Sequence, residues 1–320
     1  MPALVAAGQE AVPPPTPVDV LRSAVDQGTT PGAALLVVQG GETLQEVYLG
    51  RYHPDLVLPF DGASAWLSTV TVLSLADAGL LELEDPLVKF FPDTPDEKAA
   101  ITLRQVLSHT AGLSSSHPCQ ADRETTLESC AQAVLESPLA GTPGREFLFG
   151  GAGLQLAGRI AEIVSGETWA AVFERRIADP LGLGHTSYGT SPNPNLASGA
   201  RGTLRDYGRF LASLLPPRAG ARPLLSPVQA VAMLTDQSAG TTRTRWPLDS
   251  AQGYGLGAWL VGDDENHAWA TAPGALGFTP WLLRQQDFLA VIAVSSTPEA
   301  AAELRQSLPP SAWLVARPPS

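Results

Sequence analysis

The sequence predicts an α+β fold: an antiparallel sheet of five or more strands, flanked by helices and joined to a mostly helical region. Three observations carry this. Two strand-like runs, Gly32–Gln39 and Glu42–Gly50, are separated only by Gly40-Gly41, a hairpin signal. Helical periodicity and caps dominate residues 61–245. From Tyr254 the period returns to that of strands, over Tyr254–Val261, His267–Thr271, Phe278–Arg284 and Phe288–Ser295. Three of these are expected to join the N-terminal hairpin as the sheet core. The expected organisation is one domain, with 18–60 and 246–320 as its sheet region, 61–245 as its helical region, and 1–17 as a disordered linker.

At 320 residues and 44% hydrophobic, the chain is long enough to bury a sizeable core. A net charge of -12 leaves no basic face for phosphates, so nucleic acid is not an expected partner. No apolar run reaches the roughly 18 residues that span a bilayer. The start, Met1 to Pro17, is Pro-rich and lacks a basic stretch, so it does not read as an intact signal peptide. It reads as a linker that follows a removed export signal or anchor. No cofactor and no metal site is expected. There are only two lysines, Lys89 in a turn and Lys98 on an expected surface loop.

In chain order, Thr16 caps a first helix with Pro17 at its first position and Gly28 as its stop. The central stretch, Phe60 to Pro86, has almost no charge before Asp77 and reads as a buried helix stopped by Gly79. Ile101–Leu107 is a short amphipathic helix leading into Ser108-His109-Thr110-Ala111-Gly112-Leu113. Cys119 and Cys130 flank a short polar loop; a disulfide is expected, in an oxidising compartment. Two free buried cysteines, or a metal site with His117, are the alternatives, although the spacing matches no zinc pattern well. Helices follow at Leu154–Ser165, Glu167–Arg176 and Leu204–Leu215, another starts at Ser226-Pro227, and Thr297-Pro298-Glu299 caps a last one. His185 is an exposed turn residue.

The ending Leu75-Ala76-Asp77-Ala78-Gly79 with Leu81-Glu82-Leu83-Glu84-Asp85-Pro86 resembles the central helix of the serine β-lactamase and penicillin-binding-protein superfamily, in its class C and esterase-like branch. Further landmarks agree. Ser108-His109-Thr110-Ala111-Gly112-Leu113 is similar to the family's Ser/Thr-His-Thr-Ser-Gly-Leu. Pro143-Gly144-Arg145-Glu146-Phe147-Leu148-Phe149-Gly150-Gly151 resembles Pro-Gly-x-x-Phe-x-Tyr-x-Asn or its Tyr-Gly-Gly variant. Asp179-Pro180-Leu181-Gly182 also fits. The resemblance covers about Val18 to Leu308 and implies a β-lactamase/DD-peptidase-like fold.

It also implies where chemistry belongs. Counting back from Gly79 without a gap puts the nucleophilic serine at Gly62 and the lysine of Ser-x-x-Lys at Ala65. A second register uses Ser64 and puts Leu67 at the lysine; it shortens the helix by two residues. The tyrosine position holds Phe149, and Ala272-Pro273-Gly274 stands where the family has His/Lys-Thr/Ser-Gly. Acyl transfer on this fold needs a hydroxyl, a lysine and tyrosine pair to move its proton, and two backbone amides as an oxyanion hole. Glycine, alanine and phenylalanine supply none of the side-chain groups, while amides at Gly62 and near Ala275 need no particular side chain. The ligand-cleft candidates are Gly62, Trp66, Phe149, Gly151, Pro273, Gly274 and Ala275; Trp259 and Trp281 are further aromatics whose ordinary role is core packing. His109 reads as a turn-holding residue, with catalysis as the alternative. The expected function is a catalytically silent, exported relative (periplasmic, secreted or lipid-anchored) that binds a small molecule, peptide or partner. The alternatives are an active esterase or amidase using Ser64 or a non-family group, and an enzyme disabled by substitution.

Overall fold

A computed structural model of the chain describes residues 15–218, 220, 223–262, 268–270, 277–295 and 308. The N-terminal helix α1 (Pro17–Asp26) starts as expected: Thr16 accepts the Asp19 N–H, and Asp19 returns a bond to the Thr16 N–H. The hairpin strands β1 (Gly32–Gln39) and β2 (Glu42–Gly50) have the bounds read from the sequence.

The central helix α2 runs Ser64–Asp77, preceded by one 3-10 turn at Asp61–Ala63. Eleven of its residues are buried, so it has no solvent face. Four of its five hydroxyls are satisfied locally or by neighbours, and that of Thr69 is buried without a partner among the described residues. Thr71 donates to the Leu67 carbonyl at 2.7 Å and Ser74 to that of Thr71 at 2.7 Å. Ser68 donates to the Leu196 carbonyl at 2.7 Å and lies 2.6 Å from the Tyr188 hydroxyl. A buried hydroxyl without such a partner costs about 1–3 kcal/mol. The other longer helices are α3 (Leu127–Glu136), α4 (Ala152–Ser165), α5 (Leu204–Leu214) and α6 (Pro227–Met233).

The C-terminal strands are β3 (Ala251–Tyr254), β4 (Trp259–Val261), β5 (Ala268–Ala270), β6 (Phe278–Leu283) and β7 (Phe288–Val294). They complete a seven-stranded antiparallel sheet in the order β2-β1-β7-β6-β5-β4-β3. Both faces are buried. Leu35, Val37, Ala290 and Ile292 face α1, whereas Ala34, Leu36, Leu289, Val291 and Ala293 face the helical side. The period of two along a strand produces this division. It also explains why β1 and β7 read as continuous apolar runs rather than alternating ones.

Several expectations need correction. Tyr254–Val261 is not one strand: the chain turns at Gly255–Ala258, so β3 and β4 form a hairpin. Glu167–Arg176 is not one helix: an α-helical turn, Trp169–Phe173, passes into a π-helical segment, Glu174–Ala178. Lys98 is not on the surface. It is 1% exposed, and its ammonium donates to the Leu135 and Ser137 carbonyls at 2.7 and 2.5 Å, closing the C-terminus of α3. Residues 1–14 of the expected linker, His267, Thr271, and the expected helix after Thr297 lie outside the described residues.

Candidate functional site

Gly62 sits in the middle of the 3-10 turn, half-buried, directly after Asp61, a non-glycine residue at φ 47°. The turn is fixed from three sides. Phe60 N–H donates to the Ala200 carbonyl at 2.9 Å, and the Tyr207 hydroxyl donates to the Ala63 carbonyl at 2.9 Å. The Phe60 ring packs on Phe278, at the start of β6, with centroids 4.8 Å apart. Gly62 therefore lies where β6 begins. Pro273, Gly274 and Ala275 precede that strand and lie outside the described residues.

Ser64, the hydroxyl of the alternative register, is fully buried. Its Oγ accepts the Ala200 N–H at 3.1 Å, and its carbonyl accepts the Tyr188 hydroxyl at 2.9 Å. This is a structural hydrogen bond between α2 and the segment before Arg201. Leu67 is fully buried as well. Trp66 is 0% exposed, packed in the main core, and its indole N–H has no partner among the described residues. It is a core residue rather than an open cleft wall; Trp259 and Trp281 are likewise buried.

Ala65 is half-buried, and its carbonyl oxygen lies beside the β3–β4 turn. A Cβ placed on Gly257 would stand 3.2 Å from the Ala65 carbonyl oxygen and 2.4 Å from the Thr69 hydroxyl. Glycine is thus required for the turn to approach α2 this closely, and φ 79° at Gly257 favours it too. Two residues on, the Trp259 ring packs against Phe149 at 5.1 Å. The contacts from Ala65 to Phe149 run through this turn, across 84 residues of sequence.

Phe149 belongs to an aromatic cluster with Phe147, Trp246, Tyr254 and Trp259. It is built on a parallel strand pair that sequence patterning did not reveal: Glu146–Leu148 beside Thr242–Arg245. His109 stands against it, 4.9 Å from the Phe149 ring, with Nε2 2.9 Å from the Tyr254 hydroxyl. Burial pushes its pKa down to about 3, so the imidazole is neutral at pH 7. Its carbonyl accepts the Leu148 N–H at 2.9 Å, and its φ of 58° marks the tight turn expected there. His185 is exposed.

Gly151, aligned with the family's asparagine, lies beneath a strap that sequence reading missed. Its N–H donates to the Ser115 carbonyl at 2.8 Å, and an added Cβ would meet Gln120 Nε2 at 2.6 Å. Gln120 belongs to the short 3-10 turn Pro118–Ala121, which the Cys119–Cys130 disulfide ties to α3 with Cα atoms 5.3 Å apart. His117 caps that turn, its Nδ1 accepting the Cys119 N–H at 3.2 Å. Asn193 donates to the Cys119 and Asp122 carbonyls at 2.7 and 2.9 Å, and Gln155 donates to Asn193 Oδ1 at 2.8 Å. A buried Gln–Asn pair thus holds the strap to the core. Two cavities among the described residues lie elsewhere: one of about 280 Å³ near Arg284 and one of about 530 Å³ near Tyr188.

The sheet, the buried helix leading into it and the landmark loops define the serine β-lactamase and penicillin-binding-protein class of fold. The chain belongs to the Beta-lactamase family, whose model matches residues 18–308. Among solved structures it is similar to a candidate β-lactamase from Bacteroides dorei, with 28% identity, a TM-score of 0.79, and 91% of this chain and 97% of that one covered. EstCE1, a hydrolase with promiscuous acyltransferase activity, shares the fold, with 19% identity, a TM-score of 0.76, and 91% and 97% covered. Penicillin-binding protein 4 of Amycolatopsis lactamdurans is 27% identical over 182 residues, 52% of this chain and 46% of that protein. Protein flp of Staphylococcus aureus is 23% identical over 189 residues, 54% of this chain and 38% of that protein. The chain spans less than half the length of these curated relatives. Among the described residues, no helix is long and apolar enough to cross a membrane.

Proposed function

We propose that this chain is a catalytically silent member of the β-lactamase family that keeps the fold to bind a ligand or partner. The observation that carries this is the set of residues at the three reacting positions: Gly62, Ala65 and Phe149, which offer no hydroxyl, amine or phenol. The geometry of Ser64 supports it, because that hydroxyl is fully buried and committed to the Ala200 N–H. The His–Tyr hydrogen bond beside Phe149, His109 to Tyr254, is itself buried, with the imidazole held neutral and the phenol pKa raised by burial. Removing general-base machinery from serine hydrolases typically costs a factor of about 10⁴ or more. A peptide, an ester or a cell-wall fragment fits the class of ligand that such a fold handles. The reading treats 18–60 with 246–320 as the sheet region and 61–245 as the helical region of one domain. The Cys119–Cys130 disulfide supports export to an oxidising compartment.

The test compares the unmodified protein with Gly62→Ser, Ala65→Lys and Phe149→Tyr combined. The unmodified protein is expected to form no adduct with a fluorescent penicillin or a fluorophosphonate, and to turn over a p-nitrophenyl ester no faster than background. Gly62→Ser alone should add little, because an unactivated serine is a poor nucleophile. The triple variant should gain measurable esterase activity. Turnover by the unmodified protein that Ser64→Ala abolishes would overturn the reading and favour an active enzyme.

A further inference from the structure

A cavity stands at the opposite end of the sheet strands from Gly62. Three adjacent strands align one apolar row: Leu260 in β4 pairs with Trp269 in β5, which pairs with Leu282 in β6. Side chains two apart on a strand share a face, so the row leads to Arg284, in the turn that follows β6. β6 begins against the turn that holds Gly62 and runs six residues, so about 20 Å of strand separates the two places. α6 and the residues after it cover this corner and leave a cavity of about 280 Å³. Val231 and Leu234 form its helical wall, Leu260 and Trp269 its sheet wall, and Thr235 and Arg284 are polar members.

Arg284 is half-buried, and its Nε is buried without a hydrogen-bond partner among the described residues. Asp236 lines the same cavity, but its Oδ1 is already engaged by the Ser238 N–H, the Ser238 hydroxyl and the Tyr254 N–H, at 2.8, 2.6 and 3.1 Å. Burial lowers the Arg284 pKa from the ordinary guanidinium value. A buried donor left open costs free energy that an acceptor entering the cavity would offset. A guanidinium matches a carboxylate in shape and can bind it through two parallel bonds.

We propose that this cavity is a second binding site for a compact organic monocarboxylate, with the carboxylate on Arg284 and the apolar body against Leu234, Leu260 and Trp269. Its volume lies just below the roughly 300–1,000 Å³ of sites for drug-sized ligands, so a single-ring or short-chain acid fits. The Asp236 carboxylate on the same wall disfavours phosphate and dicarboxylates by like-charge repulsion.

The test is a titration of the whole chain with benzoate and with benzamide, its neutral counterpart, by calorimetry and ligand-observed NMR at pH 7. Benzoate should bind saturably at one site, and benzamide about tenfold or more weaker. Arg284→Gln should lose about tenfold or more in benzoate affinity, whereas Arg175→Gln, at an exposed ion pair with Glu167, should change nothing. Three results would each overturn the proposal. These are equal affinity for the acid and the amide, unchanged benzoate binding by a folded Arg284→Gln, and no saturable benzoate binding up to about 10 mM. If Arg284→Gln does not fold, the comparison of acid with amide on the unmodified protein decides alone.

Discussion

At its C-terminal end α2 hands over to Gly79, at φ 71°, with the Leu80 N–H returning to the Leu75 carbonyl at 3.1 Å. The following turn is closed by Asp85, which accepts the Glu82 N–H at 2.8 Å and the Lys89 ammonium at 2.7 Å. Burial works to raise the Asp85 pKa, but the Lys89 and Glu82 hydrogen bonds and the Lys89 charge outweigh it and hold the carboxyl below its usual range. Of the other residues there that carry the family resemblance, Asp77 accepts the Ser226 N–H at 2.7 Å, and Leu81 and Leu83 are buried in the core. At its N-terminal end the same helix starts after Gly62, and the resemblance places Gly62 and Ala65 where a serine and a lysine belong. Yet the backbone there is as firmly held, by Ala200, Tyr207 and Tyr188. The difference teaches that a framework residue answers to stability, whereas a reacting side chain answers only to chemistry. It can change while its backbone stays pinned.

The largest expected effect tests whether the N-terminal end of α2 is framework at all. Trp66→Ala should cost about 3–5 kcal/mol in urea unfolding, because the side chain is fully buried in the main core. A cost well under that would mean a wall open to a cleft, and the comparison would lose its basis. Next comes Lys98→Met, which leaves the Leu135 and Ser137 carbonyls without their donor. A loss of about 2–3 kcal/mol is expected, compared with no measurable loss for an exposed lysine.

His109 gives an effect that is felt only as the pH falls. Its folded pKa of about 3 lies below the ordinary 6.5, so between these values the unfolded chain binds the extra proton. Stability from this residue is complete above the ordinary value and falls as pH drops through the window, by up to about 1.4 kcal/mol per pH unit. His109→Gln should flatten the low-pH part of an unfolding-against-pH profile; an unchanged slope would contradict a buried neutral imidazole. The smallest effect is that of Ser64→Ala. It should cost about 1 kcal/mol through the lost bond to Ala200 and leave ester turnover at background.

Much of the framework was legible because its signals are local. The hairpin bounds, the Thr16 and Ser226 caps and the Gly79 stop each depend on residues within a few positions. The cysteine pair was legible from a separation of 11 residues. The β3–β4 hairpin was not, because Gly255 and Gly257 interrupt an otherwise strand-like run and only the approach to Thr69 explains why the chain must turn there. The strap over Gly151 was not, because it depends on Asn193, 74 residues from Cys119.

By itself the sequence determined the class of fold and the helix and strand bounds set by caps and turns. Those follow from short-range geometry and from residue chemistry, which contacts do not alter. The tertiary structure alone decided what each polar group meets. Lys98 lies in a charged stretch beside Asp96 and Glu97 yet is buried, because the carbonyls it satisfies come from residues 37 and 39 positions away. Ser64 is a small hydroxyl near the start of a helix, and its partner is the Ala200 N–H, 136 residues on. Arg284 ends a strand like many surface arginines, and only the packing of α6 over the sheet encloses its Nε. Burial is a property of the assembled chain, since the atoms that exclude water from a side chain come from segments far from it in sequence.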